Sequence, residues 1–307
     1  MSRTIAITGT TGFIGSHLMT ALLEDGWSVR ALIRHPPPPG DHGVEWVTGD
    51  LDDRDALHDL VQGAQAVVHC AGRVRGRTAA QFDHVNAEGT ENLVSAATEQ
   101  PTWPRFLLLS SLAARQPKLS WYAASKRRAE ELLLLHGDAM PWTILRPTAV
   151  YGPGDREMLG LFKAMRRGLL PVPGDPAARI TLIHVKDLVE AILCWARADT
   201  PPRGRFELHD GTPDGYGWAD LTAIAATAWR RPVRRLPIPS GLLRGAAWVN
   251  LGLARLLGYD PMLTPGKVRE LRHPDWRCDN THLTQAVGWS PRITLLDSLR
   301  GDMAALT

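Results

Sequence analysis

Cysteine is scarce in this chain: among 307 residues there are three, Cys70, Cys194 and Cys278. They stand far apart with no CxxC or Cys/His spacing, which excludes a disulfide scaffold and leaves no expectation of a metal site. A reducing compartment follows. Long hydrophobic runs are also missing. The longest suspect, residues 240–259, is broken by Arg244 and Arg255, leaving an uncharged stretch of ten residues (245–254), about half of what a bilayer crossing needs. A core or lid helix is expected there, in preference to a membrane-surface helix, although Trp248, Leu251 and Arg255 would suit the latter. The first apolar residues lack the basic start, long apolar stretch and cleavage site of a signal peptide, so a cytoplasmic location is expected. Charge of one sign is lacking too. With 35 Lys and Arg against 32 Asp and Glu, the net charge of +3 is far from the bias of a dedicated nucleic-acid binder. No internal repeat is visible.

What is present is ordinary globular material: 44% hydrophobic and 22% charged residues, enough apolar surface for a core. The length suits one large α/β unit or two joined domains. Short Val/Ile/Leu-rich runs at 4–8, 28–33, 44–48, 66–69, 105–110 and 142–146 read as buried strands. Helical spacing fits residues 18–23, ended by Gly26, and residues 55–61, 82–99 and 122–135. Strand and helix alternating in this way build a Rossmann-type, doubly wound parallel sheet. The second half is richer in Gly, Pro and Trp and reads as a smaller C-terminal substrate-binding domain. Pro36 to Pro39 form a stiff stretch that could border a ligand.

The first strand runs into Thr8-Gly9-Thr10-Thr11-Gly12-Phe13-Ile14-Gly15 just before a helix. Gly9 allows the turn, Gly12 lets backbone approach a pyrophosphate, and Gly15 permits close helix–strand contact, while the helix N-terminus offers N–H donors. After the second strand, where an NAD-reading protein places Asp or Glu, stands Arg34. A guanidinium there suits a 2′-phosphate, so NADP(H) is favoured over NAD(H). Asp50, followed by Leu51, is placed to accept a bond from an adenine amino group. Cys70, Ala71 and Gly72 are small enough for backbone to pass beneath a nicotinamide ribose. His69 reads as a satisfied core histidine rather than a base, Asn86 as a residue ordering backbone or water near the cofactor, and Asn92 as structural.

Ser111 follows the fifth strand, and Tyr122-Ala-Ala-Ser125-Lys126 places Tyr122 and Lys126 on one helical face. A phenol is a poor base near neutrality, and a nearby ammonium would bring its pKa down, while Ser111 binds or polarises a substrate oxygen.

Taken together, these motifs resemble the extended short-chain dehydrogenase/reductase family, also called the NAD-dependent epimerase/dehydratase family. The resemblance extends to Asn86-x-x-Gly89-Thr90, Arg146-Pro147-x-x-x-Tyr151-Gly152-Pro153-Gly154, His184-Val185-x-Asp187 and Val287-Gly288-Trp289-x-Pro291, and so spans nearly the whole chain. It implies Ser111, Tyr122 and Lys126 as the catalytic set, with Lys126 also holding the nicotinamide ribose and the segment from Pro147 to Ala149 lining the nicotinamide. It further implies that the chain returns to the nucleotide domain near His184. The expected division is then residues 1–150 with about 180–210 for NADP(H), and 151–179 with 211–307 for the substrate. Helices over 82–99 and 122–135 would form a homodimer contact by the same resemblance.

Two features depart from the family pattern. The interval between Ser111 and Tyr122 is short, so the pocket is either more open or closed by C-terminal helices instead. Leu112-Ala113 also replaces the Asp-Glu pair that sugar-nucleotide dehydratases use for elimination, so dehydration is not expected. Arg34 and the segment from Lys267 to Trp276 resemble the NADPH-using branch of dihydroflavonol-type reductases and 3β-hydroxysteroid dehydrogenases. The expected function is interconversion of a carbonyl and a secondary alcohol on a fairly apolar small-molecule substrate. The alternatives are an NAD-dependent sugar-nucleotide epimerase, for which Arg230, Arg231, Arg234 and Arg235 could hold a diphosphate if they are not a solvated face, and a non-catalytic NADPH-binding scaffold. Trp218, Trp229, Trp248 and Trp276 are expected to pack in the core rather than line a pocket.

Overall fold

The computed structural model describes residues 3–35 and 43–303; the stretch from Pro36 to Pro39 lies outside the described residues. β1 (Thr4–Thr8) leads through the glycine loop into α1 (Phe13–Glu24), followed by β2 (Ser28–Ile33), β3 (Val44–Thr48), α2 (Arg54–Val61) and β4 (Ala66–His69). Next come α3 (Ala79–Asp83), a π-helical turn (His84–Glu88), α4 (Gly89–Thr98), β5 (Arg105–Leu109), a 3-10 turn (Leu112–Arg115), α5 (Trp121–Gly137) and β6 (Trp142–Pro147). The chain continues through β7 (Ala149–Tyr151), α6 (Leu159–Arg166), β8 (Leu169–Val172), β9 (Leu182–His184), α7 (Val185–Arg197) and β10 (Gly204–Leu208). It ends with α8 (Trp218–Trp229), β11 (Arg234–Pro237), α9 (Ser240–Leu257), α10 (Pro265–Leu271), α11 (Thr281–Val287) and α12 (Leu295–Arg300).

Seven strands form one parallel sheet in the order β10-β6-β5-β4-β1-β2-β3. Its central strands β1, β4 and β5 read as nearly continuous apolar runs because both faces are covered, whereas the edge strands β3 and β10 carry charged residues. Ile5 and Ile7 of β1 join Leu18, Leu22 and Trp195 on one face, while Ala6 meets Leu57, Leu60 and Phe106 on the other. The helix read at residues 18–23 ends where Gly26 takes φ +80° and Trp27 N donates back to Leu22 O, a left-handed stop that glycine adopts without strain. The chain builds outward from β1 on one side and then returns to β4 on the other. A crevice therefore opens at the C-terminal ends of β1 and β4, the place where ligands bind in such sheets.

The helix expected over 82–99 is not continuous. The π-helical turn interrupts it, and its extra residue rotates Asn86 inward, where it is 1% exposed. Remote motifs also meet: the Asp187 carboxylate accepts from the backbone N–H groups of Arg292 (3.1 Å) and Ile293 (2.9 Å), and Trp289 Nε1 donates to Asp187 O. A third apolar cluster, including Phe162, Leu170, Trp218 and Leu295, gives the C-terminal region its own core. Trp218 is buried as expected, whereas Trp248 is 61% exposed because α9 turns it outward. Arg230, Arg231, Arg234 and Arg235 are all exposed. Among the described residues no helix is long and apolar enough to cross a membrane, and no cluster of side chains could hold a metal ion.

Candidate active site

The glycine loop is built by contacts that forbid side chains. Gly9 has φ +79°, and a Cβ there would lie 2.6 Å from Ala71 N; at Gly15 it would lie 2.1 Å from Gly9 O. The loops after β1 and β4 thus touch through backbone. Gly12 is the N-cap of α1 and no side chain caps that first turn, which leaves its N–H groups and the positive end of the helix free for an anion. Thr11 is exposed and Phe13 and Ile14 are half-buried around this turn. The hydroxyls of Thr10 and Thr148 are buried with no hydrogen-bond partner among the described residues. A cradle without room for Cβ atoms, an open helix N-terminus and spare hydroxyls fit a dinucleotide.

The ends of neighbouring strands converge on this loop. Arg34 is exposed just past β2, with no ion pair to a described residue. Asp50 Oδ1 accepts from Asp52 N (2.9 Å), so one carboxylate oxygen shapes its own loop. Leu51 packs on Gly89, and its carbonyl accepts from Asn92 Nδ2 (2.8 Å), the structural role expected of Asn92. His69 is fully buried, with Nδ1 2.7 Å from Thr8 Oγ1 and Nε2 3.1 Å from Thr90 Oγ1. Thr90 donates its own proton to Asn86 O, so Nε2 carries the imidazole proton and Nδ1 accepts from Thr8. Burial brings the His69 pKa down to about 3. It is a neutral, satisfied core histidine, as expected.

Ser111, Tyr122 and Lys126 come together where β4 and β5 end. Ser111 caps the 3-10 turn, accepting from Ala113 N (3.2 Å), and its hydroxyl also reaches the Tyr122 phenol. Tyr122 lies in the first turn of α5, whose N-cap Ser120 accepts from Ala123 N (2.9 Å). Lys126, one turn on, is 5% exposed and donates from Nζ to Leu109 O (2.9 Å). A Cβ on Gly72 would stand 3.1 Å from Lys126 Nζ, so Cys70, Ala71 and Gly72 pass directly over the ammonium. Asn86 fixes this same segment, with Oδ1 accepting from Arg73 N (2.6 Å) and Nδ2 donating to Arg73 O and Ser125 Oγ. Ordering of backbone is therefore what Asn86 does. Pro147 is buried at the end of β6, and Ala149, two residues on, is exposed.

One electrostatic expectation is corrected. The Tyr122 phenol is not brought down by Lys126; burial pushes it up to about 12, with the Ser111 hydrogen bond pulling the other way and the Glu270 carboxylate adding to the rise. The same burial brings Lys126 down to about 8. In both cases burial shifts the group toward its neutral form, although Lys126 remains chiefly an ammonium at neutral pH.

Three features escaped the sequence reading. Glu130, fully buried on the α5 face that carries Lys126, receives Arg146 Nε (2.8 Å) and Nη2 (2.5 Å) and Ser110 Oγ (2.5 Å). A carboxylate among Ala129 and Leu133 on a buried helix face was the available signal, since such a charge requires a cation. Secondly, the short Ser111–Tyr122 interval is closed by a C-terminal helix. On α10, Gly266 lies against Ser120, Arg269 Nε donates to Leu119 O (2.7 Å), and the buried Glu270 accepts from Ser120 Oγ and from Lys267 Nζ (3.0 Å). Thirdly, Arg73 and Arg77 after β4 pair with Asp260, and Arg75 pairs with Glu157, strapping the C-terminal region to the sheet.

Comparison with known proteins agrees with this architecture. The model of the NAD dependent epimerase/dehydratase family matches residues 5–206. A ceramide reductase of Caulobacter vibrioides is 41% identical over 292 residues, covering 92% of this chain and 88% of that protein. A 3 beta-hydroxysteroid dehydrogenase/Delta 5-->4-isomerase of Mycobacterium tuberculosis is 27% identical, covering 87% of this chain and 80% of the relative. The solved UDP-glucuronic acid 4-epimerase of Bacillus cereus, bound to UDP-glucuronic acid and NAD, has the same fold at 18% identity, with a TM-score of 0.76 over 99% of this chain and 98% of that one. The chain thus belongs to the NAD-dependent epimerase/dehydratase family and is an NAD(P)-dependent enzyme of the extended short-chain dehydrogenase/reductase type.

Proposed function

We propose that this enzyme uses NADPH to reduce a ketone to a secondary alcohol on a long-chain, lipid-like substrate, with Tyr122 as the general acid. The observation that carries the reading is the half-buried Tyr122, whose phenol lies beside Ser111. A pKa raised to about 12 keeps it protonated at neutral pH, the state needed to hand a proton to an oxygen that becomes an alcohol. The likeness to a ceramide reductase supports the substrate class.

NADPH supplies the hydride when bound. The chain's own residues do the rest. The α1 N-terminus and the glycine loop hold the diphosphate, Arg34 the 2′-phosphate, Asp50 and Leu51 the adenine side, and Lys126 the nicotinamide ribose beneath Cys70, Ala71 and Gly72. Pro147 and Ala149 line the nicotinamide. Ser111 donates a hydrogen bond to the substrate oxygen, and Tyr122 passes its proton to that same oxygen.

Cofactor choice is tested by Arg34→Asp. Loss of the charge-assisted bonds predicts NADPH binding weakened at least tenfold, about 1.4 kcal/mol or more, with NADH binding unchanged or improved; dissociation constants for both cofactors decide it. An unchanged preference for NADPH sinks the assignment. Tight co-purifying NAD together with epimerisation of a UDP-sugar would instead select the epimerase reading, and failure to oxidise NADPH with any carbonyl would select the scaffold.

The pH profile tests Lys126. Its ammonium deprotonates through about pH 8, so kcat/KM for carbonyl reduction falls above that pH, well before Tyr122 titrates. A profile that stays flat far into the alkaline range contradicts the assigned role.

A further inference from the structure

Helix α9 presents its apolar residues in the wrong direction for a protein that ends at its own surface. At about 100° per residue, Ala247, Leu251 and Ala254 form its inward stripe and are buried. Leu242, Val249, Leu253 and Leu256 fall within about 60° of one another on the opposite side, and they are 69%, 63%, 46% and 81% exposed. Between the two stripes, along one flank, run Arg244, Trp248 and Arg255, all exposed.

We propose that α9 docks this protein on an anionic lipid surface, lying in the plane of the membrane with the stripe of Leu242, Val249, Leu253 and Leu256 in the acyl boundary. The flank of Arg244, Trp248 and Arg255 is then level with the phosphates, where guanidinium and indole groups are favoured. Charge supports a lipid rather than a protein partner. No Asp or Glu occurs in α9, and the strand that enters it, β11, adds the exposed Arg234 and Arg235. A layer of phosphates complements such a surface, which carries no acidic groups of its own to pair with a partner's cations.

The position of α9 gives the docking a purpose. Tyr259, just past its end, bonds back to Asn250 through its hydroxyl (2.6 Å), and Asp260 pairs with Arg73 and Arg77 in the loop over Lys126. Asn250 Nδ2 also donates to Leu263 O (2.9 Å), leading into α10, the helix that closes the site at Ser120. The segment on the membrane is thus joined to both walls of the cleft. The docking itself is independent of the reaction; delivery of a lipid ketone rests on the reductase reading.

Flotation with phosphatidylcholine vesicles, with and without phosphatidylglycerol, tests the proposal on the full chain. The wild type is expected to float with phosphatidylglycerol vesicles, and Val249→Asp/Leu253→Asp to lose about tenfold or more of that binding. Arg244→Gln/Arg255→Gln should weaken binding to anionic vesicles alone, and it provides a second reading should the aspartate pair lower the thermal midpoint. Unchanged NADPH-dependent turnover of a short soluble ketone by both variants would show that the site itself is untouched. A wild type that floats with neither vesicle overturns the proposal. So does a dimer that Val249→Asp/Leu253→Asp dissociates without any vesicle binding, because a second copy then covers the stripe. A wild type that floats but reduces no ketone leaves the docking standing and removes only the reductase reading.

Discussion

Tyr122→Phe is expected to reduce turnover by about 10²- to 10⁴-fold, the range for a lost general acid, which corresponds to about 2.7–5.5 kcal/mol of transition-state stabilisation. NADPH binding and folding should persist. The ring keeps its edge contact with Phe82, and Ser111 keeps its bond to Ala113 N, so little besides the transferable proton is lost. Comparing kcat with the NADPH dissociation constant separates the two effects; full activity in this variant removes the mechanism.

Glu130→Leu is expected to cost about 3 kcal/mol or more of stability, since removing one partner leaves a buried charge uncompensated. The Arg146 guanidinium, 9% exposed, would keep only Glu207 at 3.9 Å. A lower urea midpoint with unchanged slope is the readout. In Glu130→Leu/Arg146→Met much of the loss should return, because an apolar pair can replace a buried ion pair. If the single variant lies within about 1 kcal/mol of the wild type, the network is not what holds the floor of the site.

The positions of the first six strands, the glycine loop and the grouping of Ser111, Tyr122 and Lys126 were legible because period, turn residues and spacing are local. Position along the chain carried them. What was not legible arises from contacts between distant segments. Glu130 matters only once Arg146 from the next strand lies beside it. The closure of the cleft depends on Gly266 and Glu270 arriving at Ser120, about 150 residues away. The π-helical turn at Asn86 leaves an apolar pattern that still reads as one helix, so a single extra residue passes unseen. The burial that raises Tyr122 and lowers Lys126 is likewise a property of the assembled cleft. Trp248 was misplaced for another reason: periodicity tells that two faces differ, but not which one the rest of the chain covers.

The docking of α10 on Ser120 also sets an order of events during synthesis. Once Leu208 has emerged, every strand of the seven-stranded sheet exists, while Leu283 and Trp289, which complete the core on one of its faces, are still to come. The wall over Tyr122 must wait for Glu270. The glycine loop and the strands around it are therefore made well before the segment that covers Tyr122, and a closed site needs both.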